Sequence, residues 1–353
     1  MTPSEPAPRG LRLDLALQAG LSLPEGGTIA VWHPSAGEDF GPLPRERLRL
    51  ITPQAPDHAA FAAAGLAVSV ALEGAVAASV VCLPRSRAEA RDLIARACAA
   101  TSGPVIVDGQ KTDGADALLR DLRGRVALSE ALSKGHGKIA WFPSPGEALA
   151  DWRAAPAVLQ AEGRDWHTLP GMFSADGVDP ASALLADALP AGLKGVAVDL
   201  GAGWGYLSAR LLAKAPGLAA LHLVESDARA LDCARANVSD PRAVFHWADA
   251  TRPLPRLLAD AVIMNPPFHQ GRAARPQLGA AFITAAAAML KPSGQVFLVA
   301  NRHLPYEAAL TAAFRKVTEL PGSAAFKLVH AEGPIKTAAA PKARKVLHSG
   351  ARR

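Results

Sequence analysis

With 353 residues, the chain is long enough for about two domains. Half of the residues are hydrophobic, yet no apolar run approaches the ~20 residues that span a bilayer, so we expect no membrane partner. The three cysteines, Cys82, Cys98 and Cys233, are odd in number and scattered, without metal-binding spacing. They predict reduced thiols in a cytoplasmic protein that has no metal site.

Positive charge is concentrated near the carboxyl end of the sequence. The net charge is +6, and residues 334–353 contain six basic side chains and no acidic one. The remaining 32 basic residues balance the 32 acidic ones. This composition predicts a disordered basic tail able to bind phosphates, although a tail that only aids solubility would have the same composition.

Residues 11–145 alternate strand-like and helix-like patterns, which is typical of an α/β domain. No glycine-rich turn able to hold a cofactor follows any of these strands, and one lysine in Gly109-Gln110-Lys111 does not make a phosphate loop. The predicted strands are 28–32, 77–83, 104–108 and 138–142, and the predicted helices are 85–100 and 113–122.

A proline-punctuated stretch separates the two halves of the sequence. We expect an interdomain linker over 143–167, with Trp152 and Trp166 packed at the seam between domains. Asp179 then predicts the start of a helix over 180–189, because Asp is a favoured N-cap and proline suits the first helical position.

The second half contains a glycine-rich turn after an apolar strand, in the sequence GVAVDLGAGWGYL that begins at Gly195. Glycines let the backbone turn tightly and approach a ligand, although dinucleotide enzymes share such turns. Asp199 precedes the turn, and the next predicted strand ends at Glu225, where an acid can accept ribose hydroxyls. A third strand, over 243–247, leads to Asp249, which is placed to bond an adenine amine.

The fourth strand of this half ends in Asn265-Pro266-Pro267-Phe268. Prolines lack an N–H, so the chain must leave the sheet at Asn265, at the edge where ligands bind in open α/β sheets. The Asn265 amide oxygen and the Pro266 carbonyl are two acceptors that match the hydrogens of an exocyclic amine, while Phe268 offers a stacking face. A strand-ending turn with a buried Phe is the alternative, and the upstream glycine turn favours the amine site.

The order of DLGAGWG, VESDARA, ADA and NPPF resembles the motifs of class I S-adenosylmethionine-dependent methyltransferases that act on exocyclic amines. TLPGMFS at 168–174, HQG after NPPF and VANRHLPY at 299–306 extend the resemblance to the RsmC/RlmG-type ribosomal RNA guanine-N2 methyltransferases. It covers 168–330 in detail and 11–150 in layout. It implies an α/β fold of two tandem Rossmann-like domains, each a mostly parallel sheet with helices on both faces, the N-terminal one degenerate.

The resemblance also implies a domain plan and an activity. Residues 11–145 would form the degenerate domain for RNA docking or support, 146–333 the catalytic domain and 334–353 the tail. The implied reaction transfers a methyl group from S-adenosylmethionine to the N2 amine of a guanine in ribosomal RNA, preferably 16S rRNA, and leaves S-adenosylhomocysteine. The partner would be ribosomal RNA or a ribosomal subunit, and the enzyme a monomer without a metal.

The implied site residues fall into two groups, with the Met172–Phe173 loop bordering the donor pocket. The catalytic group is Asn265, Pro266, Pro267 and Phe268. The cofactor-binding group is Asp199, Gly201, Ala202, Gly203, Gly205, Glu225, Ser226, Asp249, Ala250 and Asn265.

Two classes of alternative remain open. One is another amino methyltransferase, acting on adenine N6 or on a protein glutamine amide, although a degenerate second domain and a basic tail favour RNA. The other is a non-catalytic RNA-binding or assembly protein with a relic fold. Intact motif residues argue against the relic: Asp199, Gly201, Gly203, Gly205, Glu225 and Asn265.

Overall fold

The computed structural model describes residues 9–335, apart from 268, 271, 272 and 275. These residues form two seven-stranded sheets, each flanked by helices, which confirms the predicted α/β architecture with two Rossmann-like halves. Phe268 and the basic side chains from Lys336 onward lie outside the described residues, so the predictions about them stay predictions. Among the described helices, none is long and apolar enough to cross a bilayer.

The first sheet is built by the N-terminal half, with short 3₁₀ turns at Arg45–Arg47 and Lys111–Asp113. Its strands are β1 (Ile29–Trp32), β2 (Leu48–Ile51), β3 (Ala67–Ser69), β4 (Ala78–Cys82), β5 (Pro104–Gln110), β6 (Leu132–Lys134) and β7 (Gly137–Pro143). Its helices are α1 (Arg9–Gln18), α2 (Ala55–Ala63), α3 (Arg87–Ala100) and α4 (Ala115–Arg123).

The second sheet is built by the C-terminal half, after a 3₁₀ segment at Gly146–Trp152 and a hairpin of β8 (Ala157–Ala161) and β9 (Arg164–Thr168). Its strands are β10 (Gly195–Leu200), β11 (Leu218–Glu225), β12 (Ala243–Trp247), β13 (Ala259–Met264), β16 (Leu290–Asn301), β17 (Phe314–Leu320) and β18 (Phe326–Pro334), and a small ribbon joins β14 (His269–Gln270) to β15 (Ala273–Ala274). Its helices are α5 (Pro180–Ala188), α6 (Tyr206–Lys214), α7 (Ala228–Asn237), α8 (Pro276–Met289) and α9 (Glu307–Ala313).

The two sheets share one topology. Their strand orders are β3-β2-β1-β4-β5-β7-β6 and β12-β11-β10-β13-β16-β18-β17. In each sheet the first five strands are parallel and the last two pairings are antiparallel, so the sixth strand in each order runs opposite to the others. The strand order reverses next to β1 and next to β10, which makes the β10/β13 crevice a preferred ligand site in the second half. Apolar side chains on both faces of each sheet form separate core clusters under the helices, as expected for buried parallel strands.

Matching backbone hydrogen bonds align the strand ends of the two halves. His33 donates its N–H to the Ile51 carbonyl beyond β1, just as Gly201 donates to the Val224 carbonyl beyond β10. If these two hydrogen bonds are taken as equivalent, the strand pairing gives the corresponding residues of the two halves. Val31 then corresponds to Asp199, His33 to Gly201, Thr52 to Glu225 and Cys82 to Asn265. The first half therefore keeps the topology of the second but lacks the side chains of its predicted site.

The expected linker contains regular structure instead. Residues 157–168 form a β-hairpin that turns at Glu162 and Gly163, both with positive φ, and it packs against α7. The prediction that Trp152 and Trp166 pack at the seam is wrong. Trp152 belongs to a core cluster of the first half, and Trp166 is fully buried in a core cluster of the second.

The loops that follow β2 and β11 form one part of the seam between the halves, and the ion pair of Glu89 with Arg229 at 2.6 Å forms another. Ala55 N–H donates to Ser226 O at 2.8 Å, and Ala228 N–H donates to Pro53 O at 2.9 Å. Trp247 adds a hydrogen bond from its indole nitrogen to Pro53 O at 2.8 Å. The loop that follows Glu225 is thereby fixed against the N-terminal half.

The folded C-terminal half extends slightly beyond the predicted boundary at residue 333. Pro334 is the last residue of β18, where it pairs with Phe314, and Ile335 donates its N–H to Ala313 O at 2.8 Å. These two residues therefore belong to the sheet region and not to the tail. The three cysteines are buried and unpaired, in agreement with the reduced thiols expected.

Candidate functional site

A left-handed backbone shapes the glycine turn between β10 and α6. Gly201, Gly203 and Gly205 have φ of 82°, 55° and 89°, values that side-chain-bearing residues rarely adopt. A Cβ on Gly201 would lie 3.0 Å from the Phe282 ring, whereas one on Gly203 would meet open space. The turn therefore presents bare backbone to the cleft beside it, which suits close approach of a ligand.

Asp199 lies under this turn as an isolated buried carboxyl group. Its side chain is 0% exposed, and Oδ2 accepts a hydrogen bond from Ser208 Oγ at 2.7 Å. Oδ1 is buried and has no hydrogen-bond partner among the described residues. Burial raises the pKa of Asp199 to about 7, and the neighbouring Glu225 charge acts in the same direction. A buried acceptor of this kind is costly unless a ligand satisfies it.

Glu225 joins the end of β11 to the glycine turn. One carboxylate oxygen accepts from Gly203 N–H at 2.8 Å, and the other accepts from Asp227 N–H at 2.8 Å. Burial raises the pKa of Glu225, while these backbone hydrogen bonds oppose the rise. Because each carboxylate oxygen has two lone pairs, Glu225 retains acceptor capacity for a ligand.

Asn265 stands at the end of β13, the central strand next to β10. Its amide nitrogen donates to Asp179 Oδ2 at 2.8 Å and to Ser182 Oγ at 2.9 Å. Asp179 is the N-cap of α5, as predicted from the sequence, but its contact with Asn265 was not predicted. Beyond Asn265, Pro266 is buried and the following proline is exposed.

One cleft gathers the glycine turn, the start of α5 and the end of β13. Phe173, from the loop that was expected to border the donor pocket, lines this cleft and is 56% exposed. Trp204 fixes this loop, since its indole nitrogen donates to Phe173 O at 3.1 Å. The lining residues are Phe173, Ser174, Asp179, Ser182, Gly201, Ala202, Gly203, Trp204, Tyr206, Leu207 and Asn265.

Six predicted cofactor residues are not among those that line this cleft, namely Asp199, Gly205, Glu225, Ser226, Asp249 and Ala250. Asp199, Gly205 and Glu225 lie in the glycine turn or next to it. The other three make contacts of their own. Ser226 lies in the seam between the halves, where its hydroxyl donates to Gln54 at 3.2 Å. Asp249 caps its own turn, accepting from the Thr251 backbone at 2.9 Å and hydroxyl at 2.6 Å. Ala250 is buried in a core cluster. Within the described part of the chain, no group of three or more His, Cys, Asp or Glu side chains could hold a metal ion.

Sequence reasoning missed three residues that shape the cleft. Ser182 and Ser208 contact Asn265 and Asp199, and the indole of Trp204 anchors the Phe173 loop. Ser208 lies nine residues beyond Asp199, in the first turn of α6, a spacing that brings it back over the strand end. The contacts of Ser182 and Trp204 span 83 and 31 residues and leave no local signal.

Known proteins with similar sequences are methyltransferases. The methyltransferase small domain family matches residues 164–330. Ribosomal RNA large subunit methyltransferase G of Shewanella oneidensis is 32% identical over 170 residues, which cover 46% of this chain and 45% of that protein. Ribosomal RNA small subunit methyltransferase C of Pectobacterium atrosepticum is 32% identical over 234 residues, which cover 64% of this chain and 65% of that protein. The chain thus spans about half the length of the first of these relatives.

A solved structure matches both halves of the chain. It is the T. thermophilus 16S rRNA N2 G1207 methyltransferase RsmC in complex with AdoMet and guanosine, with a TM-score of 0.77 and 28% identity. The match covers 93% of this chain and 94% of that protein. The shared two-sheet architecture and the matching family motifs agree with the sequence resemblance. Residues 164–330 thus match the methyltransferase small domain family, and the whole chain is similar in sequence and fold to the RsmC/RlmG-type, class I S-adenosylmethionine-dependent methyltransferases.

Proposed function

We propose that the chain transfers a methyl group from S-adenosylmethionine to the exocyclic N2 amine of a guanine in ribosomal RNA, with S-adenosylhomocysteine as the product. The observation that carries this proposal is the cleft that Asn265 lines together with residues 201–204 of the glycine turn. The likeness to RsmC, whose structure holds AdoMet and guanosine, supports the same pair of ligands here.

The residues around the glycine turn fit the donor. Asp199 Oδ1, which has no hydrogen-bond partner among the described residues, is a buried carboxyl oxygen whose ionised form a cationic amine would stabilise, and Glu225 at the end of β11 suits ribose hydroxyls. The bare backbone of Gly201 and Gly203 allows close approach. We assign cofactor binding to Asp199, Gly201, Ala202, Gly203, Gly205, Glu225, Ser226, Asp249, Ala250 and Asn265. The bound donor supplies an already activated methyl group.

The residues at the end of β13 fit the acceptor. The Asn265 amide oxygen and the Pro266 carbonyl would accept both hydrogens of the guanine amine and direct its lone pair to the methyl group. Alignment of this kind can lower a barrier by about 7–11 kcal/mol. The amine becomes acidic once it is methylated, so water can take its proton and no strong base is assigned. Pro267 stiffens the turn, and Phe268 is proposed as the stacking face for the base.

The substrate and the cellular setting are part of the same proposal. The likeness to RsmC extends over both halves, which favours 16S rRNA of the small subunit over the large-subunit RNA implied by the matches to methyltransferase G. We propose that the enzyme acts as a monomer in the cytoplasm. The N-terminal unit over 11–145 would dock RNA or support the catalytic unit that begins at residue 146, and the tail would add phosphate contacts.

The test is methyl transfer from labelled donor to purified small subunits, large subunits and naked ribosomal RNA. Mass analysis of the nucleosides should find N2-methylguanosine in small-subunit RNA with the wild-type protein, formed far more slowly with Asn265→Ala. A methyl group on adenine N6, or on a glutamine of an added release factor, would replace the proposed substrate. Donor binding without any transfer to these acceptors would contradict the catalytic assignment.

A further inference from the structure

We infer that Asp179 is a positioning residue that holds the Asn265 side-chain amide in its acceptor orientation. The inference rests on the proposed function, because it concerns how Asn265 would receive the substrate amine. It adds a residue outside both predicted site groups, and it gives the first turn of α5 a role in selecting the chemical group that enters the cleft.

The hydrogen bonds of Asn265 leave little choice of orientation. Its Nδ2 has two hydrogens, and two oxygens lie within hydrogen-bond distance, Asp179 Oδ2 at 2.8 Å and Ser182 Oγ at 2.9 Å. An ionised carboxylate accepts hydrogen bonds and donates none. Turning the amide over would place its oxygen against the Asp179 carboxylate, where two acceptors would face each other. The amide oxygen is therefore directed away from α5, and it accepts no hydrogen bond from the part of the chain that the structure describes.

The position of Asp179 is itself fixed by the helix that it caps. The same Oδ2 atom accepts from Ser182 N–H at 2.8 Å, and a proline occupies the first helical position after it. N-caps of this type hold an acidic side chain at the positive end of the helix. Ser182 is only 7% exposed and Asp179 is half-buried, and both acceptors for Asn265 come from the start of one helix.

The first half of the chain offers an internal comparison. Its helix α1 precedes the first strand, as α5 does, and it carries Arg9 and Arg12 at the same three-residue spacing as Asp179 and Ser182. Arg9 contacts Cys82, the residue aligned with Asn265. Both arginines also bind the buried Asp108, at 2.8 and 2.6 Å. Where the strand end lacks the Asn, the facing helix turn also lacks the carboxylate and hydroxyl pair.

The fixed orientation predicts which groups the cleft accepts. With both hydrogens of Asn265 occupied, the site presents acceptors, the Asn265 amide oxygen and the Pro266 carbonyl. A substrate amine can donate to both, whereas a ring carbonyl in the same place would leave them unpaired at a cost. Asp179 thereby favours an amine over a carbonyl at the methylated position.

The key variant is Asp179→Ser, because Ser remains a good N-cap but is too short to reach Asn265. Donor affinity measured by calorimetry should stay within about threefold of wild type, while the single-turnover methylation rate at saturating RNA should fall at least 10-fold. Asp179→Asn can place an amide oxygen where Oδ2 stands, so it should retain most of the rate. Asp187→Ser, on the same helix but 71% exposed, is the matched control and should be unaffected.

A double-mutant cycle separates positioning from a structural role. In an Asn265→Ala background, Asp179→Ser should cause no further loss of rate, because Asp179 acts through Asn265. A full additional loss, or a single Asp179→Ser variant at the wild-type rate, would overturn the inference while leaving the proposed function in place. A loss of donor affinity and thermal midpoint in parallel with the rate would likewise show only structural support.

A measurement without substrate keeps the inference independent of the proposed reaction. The side-chain amide signal of Asn265, assigned by its absence in Asn265→Ala, should show slowed hydrogen exchange in the wild-type protein and faster exchange in Asp179→Ser. Fast exchange in the wild type would refute the amide orientation whatever the substrate is. Absence of N2-methylguanosine with a protected amide would instead refute the proposed function alone.

Discussion

Asp199 makes the stability of the ligand-free protein depend on pH. Its carboxyl group is fully buried, Ser208 is its hydrogen-bond partner among the described residues, and its pKa is raised to about 7. In the unfolded chain an aspartate titrates near its ordinary value of about 3.9. Between these two values the unfolded state is ionised while the folded state still binds a proton, so stability falls as pH rises.

The magnitude follows from the gap between the two pKa values. A gap of about 3 units at 1.36 kcal/mol per unit corresponds to about 4 kcal/mol in all. The loss should proceed at about 1.4 kcal/mol per pH unit between pH 4 and 7 and level off above pH 7. Glu225 is also buried and its pKa is raised, so the contribution of Asp199 must be measured as a difference between proteins.

The assay is urea unfolding of wild-type protein and Asp199→Asn at pH 5, 6, 7 and 8 without donor. Tryptophan fluorescence reports both halves, since Trp32, Trp141 and Trp152 lie in the N-terminal half, while Trp166 and Trp204 pack against each other in the C-terminal core with ring centroids 5.2 Å apart. The difference between wild type and variant isolates the contribution of Asp199. The variant should gain about 3 kcal/mol relative to wild type between pH 5 and pH 8. Parallel stability profiles over this range would show that Asp199 titrates normally and would refute the reasoning.

Three further predictions concern the site and the tail. Glu225→Ala should weaken donor binding by roughly 1.5–3 kcal/mol, since the glycine turn and the ribose lose a charged acceptor, and calorimetry showing wild-type affinity in a folded variant would contradict it. Asn265→Ala should leave donor affinity within a few-fold but lower the single-turnover rate by about 100-fold, because alignment of the amine is lost; a near-wild-type rate would remove Asn265 from the mechanism. Truncation after Ile335, which keeps the sheet intact, should flatten the salt dependence of RNA binding by about 0.7–0.9 in log–log slope for each lost phosphate contact. Identical slopes would reduce the tail to a solubilising segment.

Much of the fold was predictable because its signals are local. Apolar runs that end at Asp199, Glu225 and Asn265 mark buried parallel strands, and the structure places all three at one edge of one sheet. The Asp179 cap was predictable for the same reason, since an N-cap needs only its own next three residues. The order of the motifs also predicted the resemblance to the RsmC/RlmG-type methyltransferases, which the comparisons confirm.

The remainder depends on contacts between distant residues. The hydrogen bond from Asn265 to Asp179 spans 86 residues, and no periodicity in either segment announces it. The hairpin over 157–168 falls within the predicted linker. Its two strands have only five residues each, and half of their positions are exposed, so the sequence shows no clear apolar alternation there. The position of Trp166 in the sequence predicts a place at the seam. In the structure β9 pairs with β8, and Trp166 is buried in the core of the second half.

The seam between the halves has a consequence for their origin. The alignment of strand ends matches Pro53 with Ser226 and Ala55 with Ala228, and these residues exchange two reciprocal hydrogen bonds around the antiparallel pair of Gln54 and Asp227. Equivalent loops therefore meet each other across a local twofold axis, the relation that joins two identical subunits in an isologous dimer. A dimer of a single-domain methyltransferase, fused into one chain, would produce this seam. After such a fusion one copy could lose its donor site without loss of the seam, because the seam contacts come from the loops that follow β2 and β11.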